Sequence, residues 1–223
     1  MTKASLDPRA LDGMGLDALR EVGNIGAGNA ARALSTMVGE PVEMSVPSAR
    51  AVAIERVPDE VGDQGKPVAA AHLNVVGDAP GDMIYLVSLP AARRMTGMIL
   101  ASMGAPPEPE DSPVALTEMQ LSVLQEVGNV LASSYLNALS QMTGLHMEPT
   151  PPALGVDIAS SLLSAVVAEV AIETDIALLI VMSLGVPEST DGGDAGSIAS
   201  GRFVYLPTAH GLAEVLRGLG LRA

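Results

Sequence analysis

LDALREVGNIGAGNAARALSTMVG, residues 16–39, sets apolar side chains at helical spacing: Leu16, Leu19, Val22, Ala30, Ala33, Leu34 and Met37 fall on one stripe. Gly39 stands where a left-handed residue would end the helix. Inside the stretch, Gly26-x-Gly28-x-x-Ala31 fits the loose dinucleotide-binding spelling G-x-G-x-x-A. That fingerprint needs a buried strand running into the glycines, with a helix starting just after them. Here the preceding residues, DALREV at 17–22, are charged and of helical period, so the glycines lie within a helix.

A shift of 105 residues lays 16–47 on LSVLQEVGNVLASSYLNALSQMTGLHMEPTPP, residues 121–152, without a gap and with 14 identities in 32 positions. The second copy replaces Gly26 and Gly28 by Leu131 and Ser133 but keeps Glu21, Gly23 and Asn24 as Glu126, Gly128 and Asn129. The phosphate cradle is lost while the acid and the amide remain. Gly65-Lys66 is no P-loop either, because Glu60 stands at the first glycine position and Pro67 replaces the Ser/Thr.

The halves also match at their ends, where GDMIYLVSLPAARRMTGMIL (81–100) resembles GRFVYLPTAHGLAEVLRGLG (201–220) at a shift of 120. The roughly 15 additional residues of the second half fall naturally in the polar, Gly/Ser-rich 186–200 segment, read as a loop. The chain therefore reads as a single domain, 1–223, of two repeats (about 12–104 and 113–223), joined by an acidic, proline-rich linker at 105–113. Each repeat predicts a long helix (12–38; 117–143) and an extended stretch containing Pro47 or Pro152. Two strands follow (67–77 and 81–89; 173–185 and 201–207), and then a closing helix (90–103; 208–220). The second long helix opens on a capping box, Thr117-x-x-Gln120, and a short helix is added at 157–170. Four or more helices beside about six strands make an α/β sandwich with internal pseudo-two-fold symmetry.

Composition narrows the function. The absence of cysteine excludes disulfides, Cys-ligated metals and a thiol nucleophile, and fits a reducing cytoplasm. A net charge of −14 and four aromatic residues oppose nucleic-acid binding. The most hydrophobic run, IALLIVMSLG at 176–185, is too short to span a bilayer, so a soluble protein without membrane insertion is expected. His72, His146 and His210 are scattered, and no metal site can be nominated.

Residues three apart on a helix share a face, so Glu21 and Asn24 project together, as do Glu126 and Asn129; Asp17 and Ser122 extend each row by one turn. Asn competes for backbone hydrogen bonds and is a mediocre helix former, so an Asn in mid-helix in both copies asks for a reason. A carboxamide cannot act as a base near neutral pH, but it offers water both an acceptor and a donor. The carboxylate can hold a partner's lysine. That combination suits hydrolysis of an already activated phosphoryl group, where positioning a water does most of the work. Glycine inside a helix costs about 0.5–1 kcal/mol against alanine. Gly26 and Gly28 read as packing positions. Gly23 and Gly128 read equally as packing or as space cleared beside the pair for a partner.

Asp17-x3-Glu21-x2-Asn24-x22-Pro47 and Ser122-x3-Glu126-x2-Asn129-x22-Pro152 both fit the signature (D/S)-x3-E-x2-N-x22-P. In this the chain resembles the CheC/CheX/FliY phosphatase family, in its two-site form, over nearly its whole length. The resemblance implies two long antiparallel helices on a six-stranded sheet, with one site on each helix. It implies dephosphorylation of the phospho-aspartyl chemotaxis regulator CheY, with Asn24 and Asn129 orienting water and Glu21 and Glu126 engaging the regulator's lysine. Asp17, Pro47, Ser122 and Pro152 would shape the sites. No cofactor of its own is implied, since the Mg2+ belongs to the regulator. The receptor deamidase CheD is implied as a second partner. The rival reading is a non-catalytic adaptor, CheD-binding or flagellar-switch-like.

Overall fold

The computed structural model describes residues 13–61, 65–106, 115–172, 175–185 and 197–221. Most of the linker and residues 186–196 of the predicted loop lie outside these. In chain order the elements are α1 (Gly13–Val38), β1 (Glu43–Ala53), a 3-10 turn (Ile54–Arg56) and α2 (Val57–Val61), then β2 (Pro67–Gly77), β3 (Gly81–Ser88) and α3 (Leu89–Ser102). The second half follows with α4 (Glu118–Thr143), β4 (Met147–Pro149), β5 (Ala153–Ile158), α5 (Ala159–Val170), β6 (Ile176–Gly185), β7 (Ser197–Pro207) and α6 (Ala209–Gly218).

The local signals act as anticipated. Thr117 and Gln120 close a reciprocal capping box, satisfying amide groups that the first turn of α4 would leave unpaired. Gly39 and Gly144 take left-handed φ values of 79° and 74°, and each donates back to the carbonyl of the preceding turn. Residues 197–200, read from sequence as part of the polar loop, form the start of β7.

The strands form one antiparallel seven-stranded sheet in the order β1-β6-β7-β3-β2-β4, with β5 also on β2. One strand more than the expected six appears because β4 and β5 are a single stretch interrupted at Thr150-Pro151-Pro152, where the prolines carry no N–H for the ladder. In the central pair Gly81 faces Pro207, Ile84 faces Val204 and Val87 faces Gly201; a shift of 120 residues maps this register onto itself, with a pseudo-dyad through Ile84 and Val204. Ala71 pairs with Tyr85 and Leu178 with Tyr205, shifts of 107 and 120, so most of the additional residues of the second half fall between β6 and β7.

Two apolar cores sandwich the sheet. Alternate strand residues such as Leu73, Met83 and Phe203 meet α1, α3, α4 and α6 on one face. Ile84, Leu86, Leu179 and Val204 meet α2 and α5 on the other. The α2 turn and this second layer were not anticipated beyond the 157–170 helix. The long helices cross closely where a Cβ on Gly26 would stand 3.0 Å from the Tyr135 Cα, so packing does explain that glycine. Gly28 is exposed, with nothing within 4 Å of a notional Cβ, and nothing in the structure explains it as a packing residue.

Candidate functional site

The first acid–amide pair lies on α1. Glu21 and Asn24 are exposed, as predicted for one polar face. After α1 ends at Gly39 the chain returns as β1 and runs back beside the helix, so the Val46 N–H donates to Asn24 Oδ1 at 3.1 Å. One of the two acceptor positions on this carbonyl oxygen is therefore taken, and the amide is tied to the strand. Asp17 is held by Arg20 at 3.1 Å, an exposed pair one turn from Glu21. Pro47 follows Val46 where the β1–β6 register shifts between Ser45 and Ser48, a break suited to a residue without an N–H.

On α4 the same letters sit differently. Ser122, Glu126 and Asn129 open onto a groove of about 840 Å³, bounded on one side by Pro149, Pro151 and Pro152. Position 151 corresponds to Val46, and proline has no N–H to give. The Asn129 amide accordingly has no hydrogen-bond partner among the described residues and keeps both its donor and its acceptor. The proline segment is tied instead by Gln125, whose Nε2 donates to the Pro152 carbonyl at 2.9 Å. Gln125 replaces Arg20 of the first copy, so no cation from α4 stands beside Glu126 there. The far wall comes from the first half of the chain: Thr36 and Met37 at the end of α1, and Ile99, Ser102 and Met103 at the end of α3. The N-terminal half of α4 meeting the C-terminal end of α1 is the antiparallel arrangement of the long helices.

All eight predicted residues thus fall into two groups, Asp17, Glu21, Asn24 and Pro47 beside α1, and Ser122, Glu126, Asn129 and Pro152 beside α4. Gln125, Pro151 and the α3 wall escaped the sequence reading. The first two were visible as departures between otherwise matching copies. The glycines between acid and amide are settled as packing: both are buried, and a Cβ on Gly23 would meet Val46 at 3.2 Å, one on Gly128 the Ala71 Cβ at 2.8 Å.

Other chemistry is thin. On the opposite sheet face Asp82 Oδ1 lies 2.7 Å from His72 Nε2 and 2.8 Å from Asn74 Nδ2, a polar tie between β2 and β3. Among the described residues no group of three or more His, Cys, Asp or Glu could hold a metal ion. Burial drives the phenols of Tyr85, Tyr135 and Tyr205 well above their ordinary range, which removes them as acid–base groups near neutrality. No helix among the described residues is long and apolar enough to cross a membrane.

The sequence matches the profile of the CheC-like family over residues 14–49 and 119–156, each covering a long helix and the strand segment that returns to it. The CheY-P phosphatase CheC of Bacillus subtilis (strain 168) is 32% identical over 149 residues, 67% of this chain and 69% of that protein. The chain belongs to the CheC-like family. The flagellar motor switch phosphatase FliY of the same strain is 26% identical over 142 residues, 64% of this chain and 35% of FliY. In fold the chain is similar to Thermotoga maritima FliY (TM-score 0.68, 17% identity, covering 96% of this chain and 98% of that one). It is also similar to a chain of the FliG–FliM complex from H. pylori (TM-score 0.64, 11% identity, covering 93% and 100%). Both relatives compared by sequence are named as phosphatases, and the two structural likenesses show a shared fold.

Proposed function

We propose that this CheC-like protein hydrolyses the aspartyl phosphate of a CheY-type response regulator. The observation that carries the reading is Asn129, whose amide keeps both hydrogen-bonding ends open on the same groove and the same helix face as Glu126. In this reading Glu126 pairs with a lysine of the regulator and fixes its approach. Asn129 accepts from and donates to one water, aiming it at phosphorus in line with the acyl oxygen. The P–O bond to the regulator's carboxylate breaks as the water oxygen bonds to phosphorus, and inorganic phosphate leaves. The Mg2+ is the regulator's, and it offsets the charge on the phosphoryl oxygens. Glu21 and Asn24 form a second site of the same residue types but with a lesser share of turnover, because the Asn24 carbonyl already accepts from the Val46 N–H.

Positioning of this kind needs no base, because the acyl phosphate is already activated. The reading puts the protein in the cytoplasm with its substrate, and it leaves a CheD-type deamidase as a second partner, supported by family likeness alone. The test is decay of a phosphorylated CheY-type receiver with Mg2+, comparing the wild type with Asn24→Ala, Asn129→Ala and the double variant. Faster decay with the wild type that is lost in the double variant is expected. Decay that the double variant accelerates as well as the wild type sinks the mechanism.

A further inference from the structure

The groove on α4 has a division of labour between its walls. Its acid and amide come from the second half of the chain, whereas the facing wall comes from the first. We propose that this wall, formed by Met37 and Met103 over the buried Ile99, is the docking surface that captures the phosphorylated receiver domain, gripping an apolar side chain next to the lysine that Glu126 receives. The inference rests on the proposed phosphatase reading and adds where the substrate protein is held.

Three observations argue for it. Glu126 is the single charged residue among those that line the groove, so a partner entering it must present one cation with an uncharged flank. The wall grades outward: Ile99 is buried, Met37 half-buried and Met103 73% exposed at the lip. Met103 does not stand alone on the surface but lines the same groove as Met37, and methionine, unbranched and polarisable, adapts to an incoming shape. The wall is also firmly held. The Ser102 hydroxyl donates to the Met37 carbonyl at 2.6 Å, joining the ends of α3 and α1, and Gly104, at φ 81°, turns the chain away just beyond Met103. The other half is built differently. Gly218 occupies the place of Met98, and a Cβ there would stand 2.6 Å from the Thr143 Cβ, so α6 closes directly on the end of α4.

The experiment uses the full chain in an Asn24→Ala background, so that turnover comes from the α4 site. Met103→Glu should raise KM for the phosphorylated receiver about tenfold with kcat within twofold, and Met103→Leu should restore the KM. Thermal midpoints should not move, because the side chain is exposed. An unchanged KM in Met103→Glu overturns the proposal. Binding of the Mg2+–beryllofluoride form of the receiver is measured in parallel. If the unsubstituted chain shows no hydrolysis, the phosphatase reading fails. The docking surface is then judged by binding alone: weakening by Met103→Glu supports it, and equal binding overturns it.

Discussion

The two long helices carry the same acid and amide at the same spacing, yet their neighbours treat the amide in opposite ways. On α1 the returning strand offers the Val46 N–H, and Asn24 Oδ1 takes it. On α4 the corresponding residue is Pro151, which has nothing to offer, and Gln125 restrains the returning segment through the Pro152 carbonyl. The first arrangement uses the amide to hold the fold together. The second transfers that task to Gln125, one helical turn earlier, and leaves the amide open over a groove. Duplication has thus allowed one copy of a polar residue to serve structure while the other stays available for chemistry.

The largest consequence concerns the two asparagines. In the receiver-decay assay Asn129→Ala should lower the rate about 10²-fold or more, the usual effect of removing one preorganised hydrogen-bonding group from the transition state. Asn24→Ala should lower it less than about threefold. It should also cost about 0.5–1.5 kcal/mol of stability in denaturant unfolding, the net worth of the lost bond to Val46. Equal rate losses from the two substitutions would break the comparison.

The next effect isolates the proline. Pro151→Val supplies an N–H where the first copy has one, and that group should bind Asn129 as Val46 binds Asn24. In an Asn24→Ala background the rate should fall about tenfold, matching a hydrogen bond of roughly 1.4 kcal/mol that the amide must give up before it can hold water. An unchanged rate would mean that the open amide is not what distinguishes the α4 site.

These contrasts show which parts of the molecule could be read from sequence. The long and closing helices, the α4 capping box, the glycines that end α1 and α4 and most strands were legible because period, capping pairs and terminal glycines act over a few residues, and because the second copy repeats the long helix, its terminal glycine and the strand pair of the first. The 22-residue spacing from Asn24 to Pro47 is explained by the fold: it is the length of chain that finishes α1, turns at Gly39 and brings β1 back to the amide. The groove was not legible, since Met37, Ile99 and Met103 meet α4 through the sheet register that brings the two halves together, which no local pattern encodes. The difference between Val46 and Pro151 stood in the alignment, but its meaning needed the hydrogen bond.

Below the sites the two glycines differ in the same sense. Ala71 Cβ is fixed to β2 and cannot swing aside from a Cβ placed 2.8 Å away on Gly128, whereas Val46 can yield the few tenths of an ångström that Gly23→Ala requires. Overpacking of about 1–3 kcal/mol, less the roughly 0.5–1 kcal/mol gained by removing a mid-helix glycine, leaves Gly128→Ala destabilised by up to about 2.5 kcal/mol, with a middle value of about 1 kcal/mol. Gly23→Ala should be near neutral in thermal unfolding. A Gly128→Ala protein as stable as the wild type would show that α4 can slide on the sheet, which the packing here opposes.

The smallest effect lies where the helices cross. Tyr135 of α4 stands in the place of Ala30 of α1, and its ring packs against Phe203 with centroids 6.0 Å apart. Among the described residues its buried hydroxyl has no hydrogen-bond partner. Tyr135→Phe keeps the ring contact and removes a polar group that folding strips of water, so stability should rise by up to about 1 kcal/mol, read as a few degrees in Tm. Turnover should not change, because this side chain points to the sheet and neither amide leans on it. A loss of stability would mean that the hydroxyl is satisfied by a trapped water, and that the larger residue on α4 serves the helix crossing through its oxygen as well as its ring.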